Sequence, residues 1–377
     1  MMEILIVIFG IIGLISILIA LHAKRTVAYV YCGAVISAWE AKLLKENRLM
    51  EMAEAPAVEN LISLLDDTEY RPLLSEISKD GTVDVKKAEI VFKDHLNHRY
   101  QEILKIVPSQ RKETVLRLLK KWEVWGLKTI VTAIHQGVPV EEDLKHYMSS
   151  PTLTRERLEM LTSVKNFDQL LDFLKDSEYF PVLNGALKDY KERGLSAILS
   201  ALDVYYYKSL WQEILRVKSQ REILMKMIGC EIDTVNIKLI LRLKKEGVAP
   251  EEIDKYLIRP SYLLTEGMLK DMVYAENIKS GLEVVSRTPY GLVLLNFLPQ
   301  IEAQGISTAE RALDELRLKV FREQAVAHIF SIAPVVLYIL LKETEVRNLL
   351  TILRLKAEKV EPQKIKKNIL GVPKIGL

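Results

Sequence analysis

Three phrases of the 377-residue chain decide its reading: LLDDTEYRPLL at 64–74, FLKDSEYFPVL at 173–183 and VVSRTPYGLVL at 284–294. Each is built around a tyrosine, and Tyr70, Tyr179 and Tyr290 follow one another at intervals of 109 and 111 residues. Towards the N-terminus the same offsets align Leu49, Leu158 and Leu269, then Met52, Leu161 and Met272, then Val58, Phe167 and Ile278, then Leu65, Leu174 and Val285. Steps of three, six and seven keep these apolar positions on one face of helical turns. Thr154 and Thr265 precede two of the runs and have the form of N-caps. Towards the C-terminus, Asp94, Asp203 and Asp314 hold matching positions and are expected to open a second helical stretch.

The end of each copy carries a further signal. The stretch Glu231–Leu257 matches Glu345–Leu370, so that Asn236 corresponds to Asn348 and Arg242 to Arg354. In the first copy Gly126 and Thr132 occupy those places, while Gly137 matches Gly247. A glycine followed closely by a proline is a helix stop and a new start. Each copy thus predicts about four helical segments, and no period of two persists; DVYYYKSLW at 203–211 does not alternate. The expected fold class is all-α, with three pseudo-symmetric bundles at 25–150, 151–260 and 261–377 after an N-terminal segment at 1–24. A repeat of this length is far longer than the 34–47 residues of common helical solenoids, and each copy is long enough to enclose its own core. A ring, a funnel and an arc all satisfy the pattern.

Composition agrees with helix. Glycine (16) and proline (13) are scarce. Fifty-three basic against 50 acidic residues leave a net charge of +3, so no basic field points to nucleic acid. Cys32 and Cys230 are too few for a zinc framework or a disulfide scaffold, and read as buried thiols in a reducing compartment.

Residues Ile4–Leu21, with Ile4, Phe9, Ile12, Leu18 and Leu21 along them, are apolar or small without interruption. As a helix the run would extend about 27 Å, enough for a hydrocarbon core. Glu3 lies before it and Lys24 and Arg25 after it, which predicts a single-pass anchor in the cell membrane with the body on the cytoplasmic side. The stretch before the run has no Lys or Arg and no A-x-A site follows, so an uncleaved anchor is expected rather than a signal peptide.

The opening YVYCGAVISAWEAKLL at 29–44, the phrase DDTEYRPLL and the pattern Asp233, Asn236, Ile237, Arg242, Gly247 together resemble the C subunit of archaeal and bacterial A/V-type ATPases. That family is related to the d subunit of vacuolar ATPases. The resemblance runs from about Tyr29 to the C-terminus. It implies a funnel of three helical bundles that sits on the proteolipid rotor ring and receives the foot of the central stalk. It also implies a non-catalytic rotor part with neither cofactor nor small-molecule substrate. Under that reading the run at 4–21 is expected to thread the lipid-filled lumen of the ring, because a tether outside the ring would strike the stator at each turn. The missing Asn and Arg of the first copy mean that any contact they make lacks three-fold symmetry.

Motifs for chemistry are absent: no P-loop, no G-x-G-x-x-G, no G-x-S-x-G and no H-E-x-x-H. His95 and His98 in DHLNH share a helix face at i, i+3, but no third ligand accompanies them, and half-buried imidazoles are expected. Tyr205, Tyr206, Tyr207 and Trp211 read as core, and the lysines between 356 and 374 as a solvated helix end. The recurring tyrosines point first to shared packing, and Asn236, Asn348, Arg242 and Arg354 to internal caps. The competing function is a membrane-anchored helical adaptor without a rotary role; an enzyme with an unrecognised site is a third possibility.

Overall fold

The computed structural model describes residues 26–79, 82–140, 144 and 155–371. Among these the chain is helical apart from one two-residue antiparallel ladder, Ser78↔Val83 and Lys79↔Thr82. Its principal helices, labelled in chain order, are α1 at 26–40, α2 Glu46–Glu54, α3 Val85–Ile106, α4 Lys121–Gln136, α5 Leu195–Arg216, α6 Arg221–Lys245, α7 Glu266–Tyr274, α8 Ile306–Ala327 and α9 Ala333–Ala357.

The ends of these helices follow local chemistry. Asp84 caps α3 by accepting the Lys87 N–H, and Thr265 caps α7 by accepting the Met268 N–H. Gly137 ends α4 with φ 67° and Gly247 follows α6 with φ 73°, a backbone region that costs glycine little. Thr154 lies outside the described residues. Asp94, Asp203 and Asp314 do not open helices; they stand in the middle of α3, α5 and α8. The true start of α3 is Asp84, and α5 and α8 begin directly after Gly194 (φ 63°) and Gly305 (φ 91°). The positive φ of these two glycines turns the chain sharply into the following helix.

Packing runs forward along the chain and then closes on itself. Helix α4 packs against α5, α6 against α8, and α9 returns to α3. The apolar positions aligned in the sequence are core: Leu49, Met52, Leu65, Leu158, Leu161, Leu174, Leu269, Met272 and Val285 are buried. Burying each such side chain contributes roughly 1.5–3 kcal/mol before entropy is counted. Two clusters result. The larger runs from Cys32 through α3, α4 and α5 to α9; the smaller joins Ile237, Ile240, Leu269, Met272, Tyr290 and Leu313 in the lobe around α7.

The membrane assignment needs correction. Among the described residues no helix is long and apolar enough to cross a membrane. Ile4, Phe9, Ile12, Leu18 and Leu21 lie outside the described residues. The helix that follows them, α1, is amphipathic and stops at residue 40. It turns Cys32 and Ile36 into the core, sets Gly33 against the Ile329 carbonyl and packs Trp39 on Tyr338 at 5.8 Å between ring centroids. A span needs about 20 apolar residues, so the single-pass anchor and the lumen placement built on it are set aside.

Candidate functional site: three carboxylate seams and a charged axis

Each recurring tyrosine is buried, and each donates its hydroxyl to a carboxylate from another stretch of chain. Tyr70 donates to Glu345 (2.5 Å), Tyr179 to Glu123 (2.7 Å) and Tyr290 to Asp233 (3.0 Å). Glu123, Asp233 and Glu345 are themselves spaced 110 and 112 residues apart. Each tyrosine thus reaches the acid of the preceding long helix, and Tyr70 reaches that of the last. Local turns aim the rings: two residues earlier, Thr68, Ser177 and Thr288 each donate to a carbonyl three residues back at 2.7 Å. Their oxygens accept the N–H of Tyr70, Tyr179 and Gly291 at 3.2–3.3 Å.

The seams differ in what balances the acid. At Tyr70 the balance is Lys342, fully buried, with Nζ 2.8 Å from the phenol oxygen and 2.6 Å from Glu345, and ion-paired to Glu69 as well. Burial alone would raise the Glu69 pKa, but His95, Lys342 and Arg99 (2.6 Å) draw it down to about 2. The second carboxylate oxygen of Glu345 accepts the Leu44 N–H, which fixes the link between α1 and α2. At Tyr179 the matching lysine is Lys120, paired with Glu178, which Arg117 also holds at 3.0 Å. At Tyr290 the matching residue is Cys230, and Pro289 replaces the glutamate. Asp233 there takes backbone N–H groups from Tyr262 (2.8 Å), Leu263 (2.7 Å) and Leu264 (3.4 Å). Burial outweighs those bonds and raises its pKa. Burial likewise pushes the Cys230 thiol to about 12. A side chain at Gly229 would strike the Tyr262 ring at 2.4 Å, so this seam needs glycine there.

The remaining repeated residues tie neighbouring segments together. Asn236 spans Ile258, donating to its carbonyl at 3.0 Å and accepting its N–H at 2.8 Å; Asn348 does the same to Leu370 at 2.9 and 3.0 Å. Arg242 pairs with Glu310 and Arg354 with Glu89. Asp203 pairs with Lys128 at 2.6 Å and Asp314 with Lys238 at 2.7 Å; Asp94 lies on the exposed side of α3, and in the last copy Leu350 occupies the position of those lysines. Lys244 and Lys356 donate to the carbonyls of Ala275 and Ala55 that end α7 and α2.

The start of α4 and the residues just before it approach α6 and α9. Leu118, Ile228 and Leu340, related by the same offsets, surround a cavity of about 20 Å³ with Tyr206 and Phe321. One turn further Lys121 lies 3.7 Å from Glu231 and 3.5 Å from Glu343. Tyr207 donates to Glu231 at 3.2 Å, and Trp122 and Tyr100 donate to Glu343 at 3.1 and 3.0 Å. Arg317 stands 3.2 Å from Asp314 and 3.9 Å from Glu231. Burial would raise the Glu231 pKa, but Lys121 and Arg317 bring it below the usual range. At one end the turns before these helices touch: Arg111 donates to the Ser219 carbonyl at 2.6 Å and Gln220 accepts the Ile332 N–H at 3.1 Å.

His95 and His98 face Glu69 (3.8 Å) and Glu102 (3.7 Å), and among the described residues no group of His, Cys, Asp or Glu could hold a metal ion. Tyr206, Tyr207 and Trp211 are buried on α5. The sequence reading missed Glu123, Glu345 and Lys342 and named Asp233 only as part of a family pattern, although all four stand beside or inside the aligned stretches; the offset of 112 residues from Asp233 to Glu345 was the available signal.

The profile of the ATP synthase (C/AC39) subunit family matches residues 33–368. The chain belongs to this family. It is 30% identical over 348 residues to the C subunit of the A-type ATP synthase of Methanocaldococcus jannaschii, covering 91% of this chain and 86% of that one. The corresponding proteins of Pyrococcus furiosus (29% over 340 residues, 90% and 89%) and Methanobrevibacter smithii (27% over 334 residues, 88% and 84%) are also similar. Membership makes the chain a non-catalytic subunit of an ATP synthase-type complex.

Proposed function

We propose that this chain is the rotor part that couples the central stalk to the proteolipid ring of an A/V-type ATPase, in ion-driven ATP synthesis or ATP-driven ion pumping. In this reading the three lobes form a funnel whose seams are carried by the repeated Tyr–carboxylate pairs. The observation that carries it is the return of α9 to α3, which makes the helical packing continuous around an axis. A torque-bearing part has to be stiff, and densely packed interiors deform little. The two ends differ as a coupling needs them to. The end where the turns meet exposes Val27, Val30, Tyr31, Val326, Ile329 and Phe330, an apolar patch suited to the ring. The opposite end leads into the charged axis, suited to the stalk foot.

The test is affinity purification of the chain from detergent-solubilised membranes with mass spectrometry. Proteolipid, central-stalk and catalytic subunits are expected in fixed ratios. Recovery of the chain alone or with unrelated partners would overturn the proposal.

A further inference from the structure

At the end where the turns meet, one phrase recurs with unlike use. Ser-Gln-Arg stands at 109–111 and again at 219–221, while the third copy reads Ile329, Phe330 and Ser331. Arg111 is buried, and its guanidinium donates to the Ser219 carbonyl. Arg221 is exposed, and only its Nε is engaged, donating to the Val217 carbonyl at 3.0 Å. Arg221 also opens α6. Gln220, at φ 64°, gives that helix no side-chain cap, because its Oε1 accepts the Ile332 N–H instead. The N–H groups of Arg221, Glu222 and Ile223 thus have no acceptor among the described residues. They border a cavity of about 840 Å³, which Lys218, Lys226 and His328 also line. Among the described residues Lys218, Arg221 and Lys226 form no ion pair, and Glu222 is the single acid beside them. Gln324, from α8, lines the same cavity; it is 7% exposed, and its amide makes no hydrogen bond among the described residues. A buried amide without a partner is uncommon and points to an acceptor from outside the chain.

We infer that this cavity is a binding site for a phosphate group, held by the start of α6, Arg221 and the two lysines, with the Gln324 amide donating a further hydrogen bond. Free N–H groups and the helix dipole favour an anion at a helix start, and a guanidinium fork matches phosphate oxygens. The donors outnumber what one carboxylate accepts, whereas a phosphate presents several oxygens to them. The surroundings favour a headgroup over a free ion. His328 leads directly into Ile329 and Phe330, which are exposed apolar residues. An anionic phospholipid would set its phosphate on the cations and its chains along these residues. The inference uses this chain's residues alone and does not require the coupling role.

The experiment gives the purified full-length chain two probes. One is inorganic phosphate, followed by titration calorimetry. The other is vesicles of phosphatidylcholine alone or mixed in equal parts with phosphatidylglycerol, and the quantity read is the gain in vesicle binding that phosphatidylglycerol brings. Arg221→Gln is expected to weaken binding by about 10-fold and Gln324→Leu by about 3-fold. Arg221 is exposed, so its variant should keep the thermal midpoint of the unaltered chain. Loss of the phosphatidylglycerol gain in both variants supports the site with a lipid headgroup as its ligand. Variant-sensitive binding of inorganic phosphate without any phosphatidylglycerol gain supports the site with a soluble phosphate as its ligand. Failure of the unaltered chain to respond to either probe would overturn the inference. So would unchanged binding in Gln324→Leu, even with Arg221→Gln weakened, because a general basic surface has no need of the buried amide.

Discussion

The seam at Tyr70 and the seam at Tyr290 bury the same phenol against the same kind of acid but neutralise that acid differently. The first uses a buried ammonium, Lys342, shared between Glu345 and Glu69. The second has no cation at the matching position; Asp233 is held by three backbone N–H groups, and Cys230 fills the space. The difference has a topological reason. The links preceding Tyr290 run straight from α6 through Tyr262–Leu264 into α7, so the chain itself supplies donors. At Tyr70 the partners come from opposite ends of the sequence, and only one N–H of the α1–α2 link, that of Leu44, reaches the acid. The Tyr70 seam, between chain ends, thus carries its own charge, and the Tyr290 seam is held by backbone.

The largest expected effect follows from that contrast. Lys342→Met leaves Glu345 buried without its cation, with Glu69 still held by Arg99, and should cost about 3–5 kcal/mol in chemical denaturation. Cys230→Ala, at the matching place, should cost about 1 kcal/mol. Equal losses would remove the distinction. Tyr70→Phe is expected to cost about 2 kcal/mol, because a charged acceptor loses its donor. Tyr290→Phe should cost less, since Asp233 keeps its backbone bonds.

Acid should weaken the Tyr70 seam. Glu69 has its pKa lowered to about 2 in the fold, against roughly 4.3 in an unfolded chain. Its contribution is therefore complete above the unfolded value and is lost as pH falls from there towards 2. Denaturation curves at stepped pH should show a loss over that interval that Glu69→Gln lacks; an unchanged slope in the variant would count against the assignment. The smallest effect concerns the thiols. Burial raises Cys32 to about 11 and Cys230 to about 12, so both should resist alkylation at neutral pH until the chain unfolds.

Much of this was legible beforehand. The period that relates Tyr70, Tyr179 and Tyr290 located three buried rings, and the glycine stops at 137 and 247 located helix ends, because both signals are local. Asp94, Asp203 and Asp314 were misplaced at helix starts because an exposed or paired acid mid-helix leaves the same mark as an N-terminal one. Glu345 and Lys342 were not singled out because their partners, Tyr70 and Glu69, lie more than 270 residues away. Only pairing the end of one copy with the start of the next reveals them. The apolar run at 4–21 read as a membrane span through composition alone, which carries no information on the body to which it is joined.

The coupling role is tested most directly by assembling the ATPase in liposomes with and without this chain and measuring ATP hydrolysis and ion pumping together. The account predicts that hydrolysis continues without it, that pumping is lost, and that adding the purified chain restores pumping. Pumping at full yield in its absence would contradict the account.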